Sequence, residues 1–214
     1  MSADRYDFAP TRPNSELGRT ASLHSKPMRR RPQRPRVQIA DGIYHVTTRG
    51  NRQRAIYTDV RSRERFLTLL ADVVERMHWR LHAYCLMTNH YHLLVETPEA
   101  NIARGMERLN GIYARWFNWR NGCEGHLFQR RYHDEMVERD AHLIELARYI
   151  VLNPIRARIC AHPAEWPWSS YNATIASVSP PSFLTVEWLL SQFGATPSVA
   201  RSQYAQFVAA ADAR

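Results

Sequence analysis

Between residues 79 and 97 the chain reads "WRLHAYCLM", then "TN", then "HYHLLVET". Two β-rich runs parted by two turn residues make a hairpin, and a hairpin limits what its neighbours can do. Upstream, "GIYHVTTRG" (42–50) alternates as a strand that ends at Gly50. Between them, "SRERFLTLLADVVERMH" (62–78) spaces Phe66, Leu67, Leu70, Val73, Val74 and Met77 as one helical face. Downstream, "NIARGMERLNGIYARWFNWRNG" (101–122) is a second amphipathic helix closed by Gly122, and "RRYHDEMVE" (130–138) is a further strand. The order β-α-β-β-α-β predicts an α+β fold, a ferredoxin-like sheet with both helices on one face. "DAHLIELARYIVLN" (140–153), with Asp140 as N-cap and Pro154 just beyond its end, adds a third helix suited to lie across the other face.

The hairpin also carries the first chemical signal. In a strand, residues i and i+2 point to one face. His90 and His92 therefore share a face with Leu94, while Tyr91, Leu93 and Val95 supply a core face. Two imidazoles side by side suit a divalent metal, but the pair needs a third ligand. The third helix offers one. Leu143, Leu146, Ala147, Ile150 and Val151 form its apolar stripe, and Tyr149 and Asn153 stand four residues apart on one shoulder. An asparagine carbonyl is a hard oxygen ligand for Mg²⁺ or Mn²⁺. A divalent ion on a phosphodiester neutralises its charge, and a tyrosine hydroxyl is a nucleophile that keeps the bond energy in a phosphotyrosine. No G-x-x-x-x-G-K occurs, consistent with strand joining that needs no ATP. Free tyrosine has a pKa of about 10, so the phenol needs help to lose its proton. His142, two turns earlier on the same shoulder, is one candidate for that help. A rival nucleophile, Tyr113, has Phe117 rather than a polar residue at i+4.

Charge points to the substrate class. The 214 residues carry a net charge of +9, and a chain this basic favours polyanions, nucleic acid first. Residues 1–37 hold nine Lys/Arg against three Asp/Glu and include "KPMRRRPQRPRV", whose prolines forbid a helix or core strand. They read as a disordered basic arm. "TTRGNRQR" (47–54) sets Arg49, Asn51, Arg52 and Arg54 at a strand end, and "QRRYHDE" adds Arg131. Such groups suit DNA phosphates or an unpaired base. The three cysteines are scattered, without C-x-x-C, and no apolar run of 18 residues occurs. This predicts a reduced, cytoplasmic protein that does not engage a membrane and joins the nucleoid when bound to DNA. "AEWPWSSY" (164–171) reads as an ordered loop that packs tryptophans on the body. The expected organisation is the arm (1–37), one domain (38–176), then a linker and two short C-terminal helices (177–214).

These motifs carry a resemblance. "IYHVTTRGN" (43–51), "MTNHYHLLVETP" (87–98), "GHLFQRRYHDEMV" (125–137), "YIVLNPIRA" (149–157) and "WPWSSY" (166–171) resemble the single-tyrosine HUH transposases, most of all the REP-associated tyrosine transposases. The resemblance implies the HUH endonuclease type of fold with a catalytic third helix. It implies His90, His92 and Asn153 as ligands of Mg²⁺ or Mn²⁺ and Tyr149 as the nucleophile. It also implies cleavage and joining of single-stranded DNA beside imperfect hairpins, through a 5′-phosphotyrosine, by a monomer or homodimer. Arg130, and the acidic pair Asp134-Glu135, depart from the commoner family pattern. The alternative is a non-catalytic, domesticated single-strand-binding module, because ferredoxin-like sheets also hold single strands by stacking and charge.

Overall fold

A computed structural model describes residues 38–137 and 141–211. The basic arm and Asp140 lie outside the described residues. Four strands, β1 (Gly42–Arg49), β2 (Arg80–Leu86), β3 (His90–Thr97) and β4 (His133–Met136), form one sheet in the order β2-β3-β1-β4. Every neighbouring pair is antiparallel. β1 and β2 are joined by a helix and β3 inserts between them, which is the ferredoxin-like arrangement expected from the order of elements.

The helices are α1 (Val60–Met77), α2 (Ile102–Asn121), α3 (Ala141–Val151), α4 (Asn153–Arg156), α5 (Tyr171–Thr174), α6 (Glu187–Ser191) and α7 (Pro197–Ala209). α1 starts where Asp59 caps it: the Asp59 carboxylate accepts from the Ser62 N–H at 2.8 Å, and the Ser62 hydroxyl accepts from the Asp59 N–H at 3.1 Å. Arg120 of α2 then clamps Asp59 with two bonds of 3.0 and 2.8 Å, fastening the two helices together. α2 ends at Gly122, whose φ of 59° is the left-handed cap a helix terminus favours.

The two sheet faces are distinguished by what their side chains meet. Tyr91 packs its ring 4.7 Å from Phe66 of α1 and donates to Asn110 of α2 at 2.6 Å, so its face lies under α1 and α2. On the other face His92 meets Tyr149 of α3. In β3 all but His90 are buried, as expected of a central strand covered on both sides. α3 holds itself down through Leu143, Ala147, Ile150 and Val151 of its expected apolar stripe, all fully buried, while Leu146 at the stripe's edge is half-buried. The helical path does not stop at Asn153. Pro154 sits in the first turn of α4, where its missing N–H costs nothing, so the chain turns on for one more turn.

The "WPWSSY" segment covers the edge of β2. Leu86 N–H donates to the Trp168 carbonyl at 2.8 Å, Ser170 N–H to the Tyr84 carbonyl at 2.9 Å, and the Trp166 indole to the Leu86 carbonyl at 3.1 Å. Satisfied edge groups are closed to pairing with another chain. The C-terminal helices close the same side: Tyr204 of α7 packs 6.2 Å from Tyr171, and Arg148 of α3 lies over the Phe207 ring at 4.2 Å.

Candidate active site

Strand register assembles the site. Across β1 and β3, Thr47 faces His92, Arg49 faces His90, and His45 faces Leu94. Facing residues share a sheet face, so His45, Thr47 and Arg49 line up beside His90 and His92. The His45 and His92 ring planes are 14° apart and their centroids 5.2 Å apart, with Nε2 of His45 3.0 Å from Nδ1 of His92. α3 crosses this face and presents Tyr149 on its shoulder, 38% exposed. The Tyr149 ring stands edge-on to His92 at 5.9 Å and to His45 at 6.2 Å. The structure thus brings the expected tyrosine to His92, one of the expected pair, and to His45. Asn153 follows one turn on. Its amide nitrogen donates to the Tyr149 carbonyl at 3.0 Å and the Ile150 carbonyl at 3.3 Å, leaving Oδ1 as the atom able to accept a ligand.

The ring nitrogens are aimed by their partners. Asn89 donates its amide to the Gln53 carbonyl at 2.9 Å, which turns its Oδ1 toward Nδ1 of His90 at 2.7 Å. An oxygen there requires Nδ1 of His90 to carry the proton, so Nε2 is left as a bare lone pair. Gly50 makes this possible, since a Cβ at that position would overlap the Arg54 carbonyl oxygen in the tight turn that presents Gln53. Burial, helped by Arg49, lowers His90 to about 4. Burial, then His90, His45 and Arg49, lowers His92 to about 3. Both imidazoles are neutral at physiological pH, the form that donates a lone pair to a cation.

The family model described as Transposase IS200 like matches residues 38–153. The chain belongs to the IS200-like transposase family. No curated protein matches this transposase. Among solved structures it resembles one described as a REP-associated tyrosine transposase bound to a REP hairpin. The TM-score there is 0.58 at 16% identity, over 73% of this chain and 90% of that one. A Deinococcus radiodurans R1 protein provisionally described as a transposase matches at 18% identity and TM-score 0.39, over 61% of this chain and 92% of that one. The tRNA(His) guanylyltransferase of Saccharomyces cerevisiae matches at 8% identity and TM-score 0.42, over 79% of each chain. The first of these shows that the transposase shares the fold of that neighbour.

The donor set of the transposase fits a divalent ion. Nε2 of His92 is buried and makes no hydrogen bond, a state that a cation on that nitrogen would relieve. Among the described residues no group of three or more His, Cys, Asp or Glu is placed to hold a metal. The rival Tyr113 is fully buried, donates to the Ile56 carbonyl at 2.6 Å and is pushed up by burial. It is a core residue. His142 is exposed near the start of α3, and the imidazoles beside the Tyr149 ring are His45 and His92.

Arg49, Asn51, Arg52, Arg54 and Arg131 are all exposed. Arg49 lies nearest the histidines, and its charge is felt by both His90 and His92. Arg52 and Gln53 take φ of 53° and 59° in the adjacent turn. Three site residues carry no signal in the motif spacing alone: His45, Asn89 and Arg156. Arg156 of α4 places its guanidinium 4.5 Å from the centroid of the Tyr149 ring.

Proposed function

We propose that this transposase cuts and rejoins single-stranded DNA at hairpin-bearing, REP-like elements, using Tyr149 as the nucleophile. The observation that carries this reading is the placement of a half-exposed Tyr149 edge-on to His92, whose Nε2 is buried without a partner. The Tyr149 oxygen attacks the phosphorus and gives up its proton. The bond from phosphorus to the 3′ oxygen breaks, and that oxygen leaves as a 3′-hydroxyl after taking a proton. The 5′ phosphate stays on Tyr149, and a second 3′-hydroxyl reverses the step to join strands. His90, His92 and Asn153 would hold an Mg²⁺ or Mn²⁺ ion, whose charge would neutralise that of the phosphodiester.

The remaining residues position and complement. Arg156, over the Tyr149 ring, sets a positive charge beside the phenol whose oxygen gains negative charge as it attacks. Arg49, Asn51, Arg52, Arg54 and Arg131 take the phosphates of the strand, and the basic arm 1–37 adds to them. The acting unit in this reading is a monomer or a homodimer. No helix among the described residues is long and apolar enough to cross a membrane, and we place the transposase in the cytoplasm on the nucleoid.

The test uses labelled single strands with hairpins, drawn from the flanks of the gene, incubated with protein and Mn²⁺. A covalent adduct on a denaturing gel, lost with chelator and in Tyr149→Phe and His92→Ala, is expected. Binding without adduct on all such strands would leave a non-catalytic binding module. Cleavage without adduct would make water the nucleophile.

A further inference from the structure

His45 lies outside the histidine pair, on a different strand, yet among the described residues it is the hydrogen-bond partner of the His92 ring. The contact is 3.0 Å between Nε2 of His45 and Nδ1 of His92, with the ring planes 14° apart and the centroids 5.2 Å apart. Ring nitrogens carry their proton or lone pair in the ring plane, and near-parallel rings whose centroids stand well beyond the 3.0 Å contact meet edge to edge, with the two nitrogens pointed at each other. One proton must lie between them. If His45 held it, neutral His92 would carry its own proton on Nε2, and that N–H would be buried without an acceptor. If His92 holds it on Nδ1, its Nε2 is a bare lone pair, which a cation can satisfy. Asn89 imposes the same tautomer on His90 from the opposite side. The two histidines are then matched, each protonated on Nδ1 by contact with an acceptor and each with Nε2 available.

We propose that His45 is a positioning residue that fixes the tautomer and ring plane of His92 by accepting its Nδ1 proton. Its bearing on metal affinity rests on the reading of His90, His92 and Asn153 as a metal site. The sheet register explains how β1 does this: His45 faces Leu94, one step diagonal from His92, within reach of an imidazole. His45 also packs against the Tyr149 ring at 6.2 Å, so it steadies ligand and nucleophile together. A ligand's outer hydrogen-bond partner typically changes metal affinity about 10- to 100-fold when removed.

The experiment compares wild type with His45→Leu, which keeps bulk but accepts no proton, and His45→Gln, whose Oε1 reaches about where Nε2 stood. Two readouts avoid DNA cleavage altogether. Long-range ¹⁵N–¹H spectra of the metal-free proteins report the His92 tautomer, and Mn²⁺ electron paramagnetic resonance titrations report affinity. The expected result is Nδ1–H at His92 in wild type and His45→Gln and a mixed or reversed tautomer in His45→Leu. Mn²⁺ affinity should fall about tenfold or more in His45→Leu and recover in His45→Gln. An Nδ1–H tautomer unchanged in a folded His45→Leu overturns the proposal. A tautomer that depends on His45 in a wild type that binds no Mn²⁺ upholds the positioning role and removes the metal reading instead.

Discussion

The guanidinium of Arg156 lies 4.5 Å from the centre of the Tyr149 ring, although the two residues belong to separate helices, α4 and α3. An arginine over an aromatic face contributes about 1 kcal/mol at a partly exposed site, and more as the oxygen becomes an anion. Arg156→Ala should slow adduct formation about tenfold in single-turnover assays, since 1.4 kcal/mol is about a factor of ten. Arg156→Lys should recover part of the rate. Hairpin affinity should change less than the rate does. A loss confined to affinity would assign Arg156 to DNA binding alone.

That contact also shows where reading the residues in order stops short. His90 and His92 could be set on one face because both lie in β3, where a period of two fixes the face, and Tyr149 and Asn153 because the helical period carries on from α3 into the start of α4. Arg156 sits seven residues after Tyr149, two turns on and on the same side, but Pro154 reads as a helix stop. In the structure Pro154 opens α4 and the turn continues. His45 was hidden for another reason. Its place beside His92 depends on the β1–β3 register, which no single strand encodes. Asn89 reads as a turn residue, and only the positive-φ turn at Arg52 and Gln53 gives its amide a carbonyl to hold. The outline of the sheet was legible because hairpin and helices alternate so clearly. β4 is shorter than its pattern suggests, at four residues, because only Tyr44 to Thr47 of β1 pair with it.

Tyr149 and Tyr113 should separate chemistry from stability. Tyr149→Phe removes only a half-exposed hydroxyl, so its melting temperature and hairpin affinity should match wild type while the covalent adduct disappears. Tyr113→Phe strips a buried bond to the Ile56 carbonyl and leaves that oxygen without its donor. It should cost about 1–2 kcal/mol in denaturant unfolding and leave adduct chemistry intact. An adduct that survives in Tyr149→Phe would place the nucleophile elsewhere.

Asn89 links the basic turn to His90, because one amide spans the Gln53 carbonyl and Nδ1 of His90. Asn89→Ala should weaken Mn²⁺ binding about tenfold by calorimetry. Asn89→Asp keeps an acceptor for His90 but cannot donate to Gln53, so its affinity should fall between the two. Equal affinities across the three proteins would mean that the His90 ring needs no outside partner to aim it.

The two histidines should make the metal-free protein acid-sensitive. Folded, His90 takes its proton at about 4 and His92 at about 3, chiefly because burial disfavours the charged ring. Unfolded, both return to about 6.5. Between those limits the unfolded chain binds protons that the folded chain refuses, so unfolding is favoured as pH falls from about 6.5 toward 4 and then 3. Above 6.5 both states are neutral at these rings and the contribution is whole. The melting temperature of metal-free wild type should therefore fall more steeply across this window than that of a His90→Asn, His92→Asn double variant, in which the carboxylates common to both proteins still titrate. Saturating Mn²⁺ should raise the wild-type melting temperature and steepen its pH dependence further, because the ion adds a second demand for neutral imidazoles. Parallel pH profiles for wild type and double variant would show that the rings accept protons in place, and the neutral pair would no longer explain how a cation is held there.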